Sequence, residues 1–168
     1  MPVLPSRYFA PRYWASRYFG TRAPDTRAVI IQIADAVAAA LEAATFAVAC
    51  DVERAYVPVH DIKDLVQLIL TVVPTAESST PLTRGGIRTY DYVIDIGVQR
   101  KAPSTSDAFD PLILVGQQIG NLFRGRRLAN YPQALCITPE NAPIFSPAHA
   151  DQEGVFAALV VLTFRVIR

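Results

Sequence analysis

Several groupings in the sequence have the residue types from which chemistry is made. Asp91 and Asp95 stand four apart in a stretch of alternating polarity. On a strand that spacing puts both carboxylates on one face, where a pair can do acid–base work. The same spacing suits a solvated strand face, or partners for arginine. His60, Asp61 and Asp64 are metal-ligand types, but they are few and local, and a loop or helix-cap role accounts for them. Asp35 and Glu42 are seven apart, near one face of a helix, with no histidine or third carboxylate beside them; they read as a wet face. Cys50 and Cys136 lie among apolar residues and read as small buried hydrophobes in a reduced compartment. His149 is a lone loop histidine, and Gly85-Gly86 is too short to cradle a phosphate. The phosphate loop, Gly-x-Ser-x-Gly, His-Glu-x-x-His and Cys-x-x-Cys patterns are missing. The expectation is therefore a protein with no catalytic, cofactor or metal site.

A repeat near the N-terminus carries more information. Arg7-Tyr8-Phe9-Ala10-Pro11, Arg12-Tyr13-Trp14-Ala15-Ser16 and Arg17-Tyr18-Phe19-Gly20-Thr21 are three copies of one unit, and arginine keeps the period of five at Arg22 and Arg27. Five matches neither the helical nor the strand period, and Pro2, Pro5, Pro11 and Pro24 oppose both. Residues 1–25 are thus expected to form an extended arm. Arginine, tyrosine and tryptophan are the residues enriched where proteins dock, so Arg7, Tyr8, Phe9, Arg12, Tyr13, Trp14, Arg17, Tyr18 and Phe19 are the expected partner-binding set. Equal spacing suits repeated, similar pockets in a symmetric assembly. Two other readings stay open. The arm could fold back on its own domain, or bind nucleic acid through phosphate contacts and base stacking.

The chain has 168 residues, enough for one domain with a packed core, and a formal net charge of +1. That total hides an asymmetry. Residues 1–27 hold five arginines against Asp25, or +4; residues 28–168 hold eleven cations and fourteen acids, or −3. No apolar run approaches the ~20 residues of a membrane span, and Arg7, Arg12 and Arg17 interrupt any signal-peptide core.

The elements that would position these residues are readable from residue 26 on. Asp25 or Thr26 suits the N-cap of a helix reaching about Ala44, with Ile30, Ile33, Val37 and Leu41 on its apolar stripe. Strands are expected at 46–57, at 65–73 ending on Pro74, and at 88–100, with a long hairpin connection from Pro74 to Gly86. A second helix should begin near Asp107 with Pro111 in its first turn, and end at Gly125. Two strands, 134–138 and 155–168, flank a loop holding Pro139, Pro143 and Pro147. The expected fold is α+β: a mainly antiparallel sheet with two helices on one face, over residues 26–168. Arg124, Arg126 and Arg127 fall at the second helix's negative end. They could equally form a ring of positive charge in an oligomer, facing DNA phosphates or pairing with a carboxylate such as Asp91 or Asp95 of a neighbour.

The runs Asp51-Val52-Glu53-Arg54-Ala55-Tyr56-Val57-Pro58, Tyr90 to Lys101, Leu122-Phe123-Arg124-Gly125-Arg126-Arg127-Leu128 and Val155 to Arg168 resemble small neck and tail-completion proteins of tailed bacteriophages. The order of elements is similar to that of tail terminator proteins. The resemblance implies a virion structural protein, assembled in the host cytoplasm, that forms a hexameric ring. Such a ring would join the tail tube to the head–tail connector, with self, tube and connector proteins as partners. It would need no cofactor and would touch packaged DNA without reading its sequence. The Arg-Tyr-aromatic arm is not part of that family pattern. A head-closure or minor capsid role, a nucleic-acid-binding module and a hydrolase acting through Asp91 and Asp95 are the alternatives.

Overall fold

The computed structural model describes residues 27–57, 63–83, 86–103 and 105–168. Along the chain run α1 (Val29–Glu42), β1 (Cys50–Arg54), β2 (Leu68–Pro81), β3 (Arg88–Lys101), α2 (Ser106–Phe123), β4 (Leu135–Asn141), α3 (Pro147–Glu153) and β5 (Val155–Ile167). The expected α+β fold is found. One sheet has the order β1-β2-β3-β5-β4 and is antiparallel except where β1 pairs parallel with β2.

Alternation builds the layer. Tyr92, Ile94, Ile96 and Val98 of β3 are fully buried, and their cross-strand partners Phe164, Leu162, Val160 and Ala158 of β5 are buried with them. Leu70 and Val72 of β2 extend the same rows. Residues directly opposite one another share a sheet face, so one face carries the core. Ile33, Val37 and Leu41 of α1 pack on it with Leu112, Val115 and Ile119 of α2. The other face of β3, with Asp91, Val93, Asp95, Gly97 and Gln99, is half-buried. The apolar run of β5 is thus central in the sheet and fully buried on one face only.

Four boundaries differ from the sequence reading, each for a local reason. The first helix is capped at Ala28, whose carbonyl accepts from the Ile31 and Gln32 amides; Asp25 and Thr26 lie outside the described residues. β1 is only five residues long because the chain from Ala43 to Ala49 loops past α2, where the Ala47 amide donates to Gln118 Oε1 at 3.0 Å. β2 does not end at Pro74 but runs on to Pro81, through a bulge between Pro74 and Ala76. β1 pairs with β2 only as far as Val72. Beyond that point no described strand pairs with the outer edge of β2, and a proline can occupy such an edge without breaking a ladder. The hairpin connection is accordingly short, closed by the Leu82 amide on the Ile87 carbonyl.

The loop expected between the last two strands contains a third helix, α3, begun by Pro147 and ended at Gly154 with φ +60°. Its Ala150 is buried in the core. Pro111 sits in the second turn of α2 rather than the first, because the helix starts at Ser106 after Thr105. It removes the amide that would have bonded the Asp107 carbonyl. At the far end the expectation holds: Gly125 adopts φ +64°, a left-handed conformation that favours glycine, just past the Arg124 cap.

Candidate functional site

Asp91 is committed to an ion pair. It stands on β3 opposite Arg165 of β5. Arg165 Nε donates to Asp91 Oδ1 and Nη2 to Oδ2, each at 2.8 Å. This is the planar fork that arginine makes with a carboxylate. The hydrogen bonds hold the Asp91 carboxyl below the usual carboxylate range. A group tied on both oxygens and ionised at ordinary pH is a poor general acid and a hindered base. Asp95 shares the face, opposite Val73 and Val161, and its side chain makes no hydrogen bond or ion pair with a described residue.

The structure brings one member of the basic cluster into the same row. Arg127 pairs as a short bridge with Leu135, Leu135 lies opposite Arg165, and Arg165 lies opposite Asp91. Arg127, Arg165 and Asp91 therefore share the sheet face that the helices leave uncovered. Arg127 is steadied by its Nη1, which donates to the Pro132 carbonyl at 2.9 Å. Arg126 bonds through its backbone, its carbonyl accepting from the Cys136 amide at 3.0 Å. Arg124 goes elsewhere. It lines a cleft of about 310 Å³ between α2 and β4 with Gln117, Asn121, Glu140 and Asn141. Arg124 and Arg127 thus have different surroundings.

Other predicted residues fall as follows. Arg7, Tyr8, Phe9, Arg12, Tyr13, Trp14, Arg17, Tyr18 and Phe19 lie outside the described residues, as do His60, Asp61 and Gly85. Asp64 is exposed. Asp35 is not simply solvated: it pairs with Arg27 and accepts from Arg54 Nε at 2.6 Å, tying α1 to β1. Among the described residues no three His, Cys, Asp or Glu side chains converge on a point that could hold a metal ion, and no helix is long and apolar enough to cross a membrane.

Sequence reasoning missed a second arginine cluster of contacts at the C-terminus. Arg168 stacks on the Tyr90 ring, 4.4 Å from its centroid, and its Nη2 donates to Tyr92 Oη at 3.2 Å. The signal was two cations, Arg165 and Arg168, closing an otherwise apolar strand opposite a strand that opens with Tyr90, Asp91 and Tyr92. A further cleft of about 510 Å³ opens between the end of α1 and β1, lined mostly by apolar residues, with Thr45, Glu42 and Asp51.

Fold and contacts together define an α+β protein with helices on one sheet face and a charged row on the other. No protein-family model matches the chain, and no curated protein matches it.

Proposed function

We propose that this chain is a virion structural protein of a phage neck or tail. On this reading it is a tail terminator ring joining the tail tube to the head–tail connector, with the N-terminal arm as a docking strap. The observation that carries the reading is the threefold Arg-Tyr-aromatic repeat set against a body of opposite net charge. A strap of equal units suits a ring, in which each copy meets the same neighbour surface. The bidentate Asp91–Arg165 pair adds support, because it occupies the carboxylate from which an active site would have been built.

The test is assembly. Purified full-length protein should form a defined oligomer by sedimentation, and tagged protein should enter phage particles at one end of the tail. A protein that stays monomeric and never enters particles defeats the reading. A salt-sensitive affinity for DNA or RNA that vanishes on deleting residues 1–22 would instead favour a nucleic-acid module.

A further inference from the structure

The cleft between α1 and β1 has the chemistry of an arm seat. We propose that it receives an Arg-Tyr-aromatic unit from the N-terminal segment of a second copy of this chain. The inference rests on the docking-strap reading and names the surface on which the strap lands.

Three observations converge on this cleft. Its volume, about 510 Å³, exceeds the 310 Å³ of the α2–β4 cleft. Leu41, Phe46, Val48 and Val52 give it apolar walls, against which an aromatic ring can bury its area. Glu42 and Asp51 are its charged lining residues; both are exposed and neither forms an ion pair with a described residue. An arginine next to an aromatic residue matches that combination, one part for the wall and one for the acids.

Local electrostatics favour the same occupant. The nearest cation on β1, Arg54, is held by Asp35 at 2.6 Å and so is engaged away from Glu42 and Asp51. The α2–β4 cleft, by contrast, sets Arg124 beside its one acid, Glu140, and so offers an arginine-rich strap no net negative charge. A smaller cleft of about 320 Å³ beside Phe109 and Phe145 offers a single acid, Asp110. Among the described residues β1 bonds a neighbour strand only on its β2 side, and its other backbone edge can take an extended segment. The unit comes from another copy because, on the docking-strap reading, each copy in a closed ring meets the same surface of its neighbour.

A charge swap between full-length copies tests this. E42R/D51R places cations in the seat; R12E/R17E places acids on the strap. Each variant alone should self-associate at least about tenfold more weakly than the wild type by sedimentation, from like charges brought together. An equimolar mixture should recover, since each strap then meets a seat of opposite sign. Unchanged association of E42R/D51R, or no recovery in the mixture, overturns the proposal. So does a wild-type chain that remains monomeric.

Cys50 supplies a second readout that needs no charge change, because it lines the same cleft. In S16C protein mild oxidation should give a covalent dimer that C50S abolishes. Its absence overturns the seat even if the charge variants fail to fold. The two readings separate cleanly. Particle entry with unchanged E42R/D51R association removes the seat and keeps the neck protein, while recovery in the mixture without particle entry does the reverse.

Discussion

Arg165 grips both carboxylate oxygens of Asp91 across the β3–β5 ladder, although the two residues are 74 positions apart in the chain. The pair is partly exposed, with 43% of the Arg165 and 26% of the Asp91 side chain open to solvent. Its contribution is therefore modest, about 0.5–1 kcal/mol after screening. A double-mutant cycle of D91A and R165A should return a coupling of about that size at low salt, shrinking in molar salt. No coupling at low salt would show that the fork is not maintained in solution.

The same pair sets a pH dependence. The hydrogen bonds from Arg165 lower the folded-state pKa of Asp91 below its unfolded value. The stabilisation is therefore fully present above the unfolded carboxylate value, about 3.9, and is lost as pH falls through the lower folded one. Wild-type protein should lose stability relative to D91N as pH drops below about 4, measured by denaturant titration. A gap between the two that is flat from pH 6 to pH 2 would contradict this.

Thiol chemistry should be one-sided. Cys136 is fully buried, and burial pushes its thiol up to about 11. Cys50 is half-buried and is raised by burial and by the neighbouring Asp51 carboxylate. A maleimide at pH 8 should label Cys50 slowly and Cys136 only after denaturant is added, as read by mass spectrometry. A raised folded value also means that Cys136 favours folding fully below about 9 and loses that contribution as pH rises towards about 11.

Two glycines of α2 should answer differently to the same substitution. A Cβ on Gly120 would meet Pro139 at an ordinary 3.9 Å, whereas one on Gly116 would meet Asn141 Nδ2 at 3.0 Å. The Asn141 amide would have to give by a few tenths of an ångström to admit it. Gly120→Ala should raise stability by roughly 0.5–1 kcal/mol through helix propensity. Gly116→Ala should fall short of that by at least about 1 kcal/mol. Equal melting temperatures for the two variants would refute the close approach of α2 to β4.

Truncations on the two sheet faces should separate as well. Ile96 is fully buried under the helices, and Ile96→Ala should cost about 2–5 kcal/mol. Val161, on the half-buried face, should cost roughly 1 kcal/mol or less on truncation to alanine in the isolated chain. Comparable losses at both positions would mean that the second face is packed as tightly as the first.

Much of this architecture is legible before folding. Strict alternation from Tyr90 to Val98 marks β3 and tells which residues face the core, because side chains on a strand alternate between faces. The stripe through Leu112, Val115 and Ile119 marks α2, and Gly125 marks where it stops. The repeat at Arg7, Arg12 and Arg17 is a property of the sequence alone.

The tertiary structure decided what depends on neighbours distant in the chain. Whether Pro74 ends a strand turns on where β1 stops, and β1 stops at Arg54, opposite Val72. Whether Asp35 is wet or paired turns on Arg54 arriving beside it. Whether Asp91 is an acid, a base or an anchor turns on the register that sets Arg165 against it. Local periodicity specifies which face a side chain takes. Only pairing across the sheet specifies which partner it finds there, and for a charged group the partner determines the chemistry.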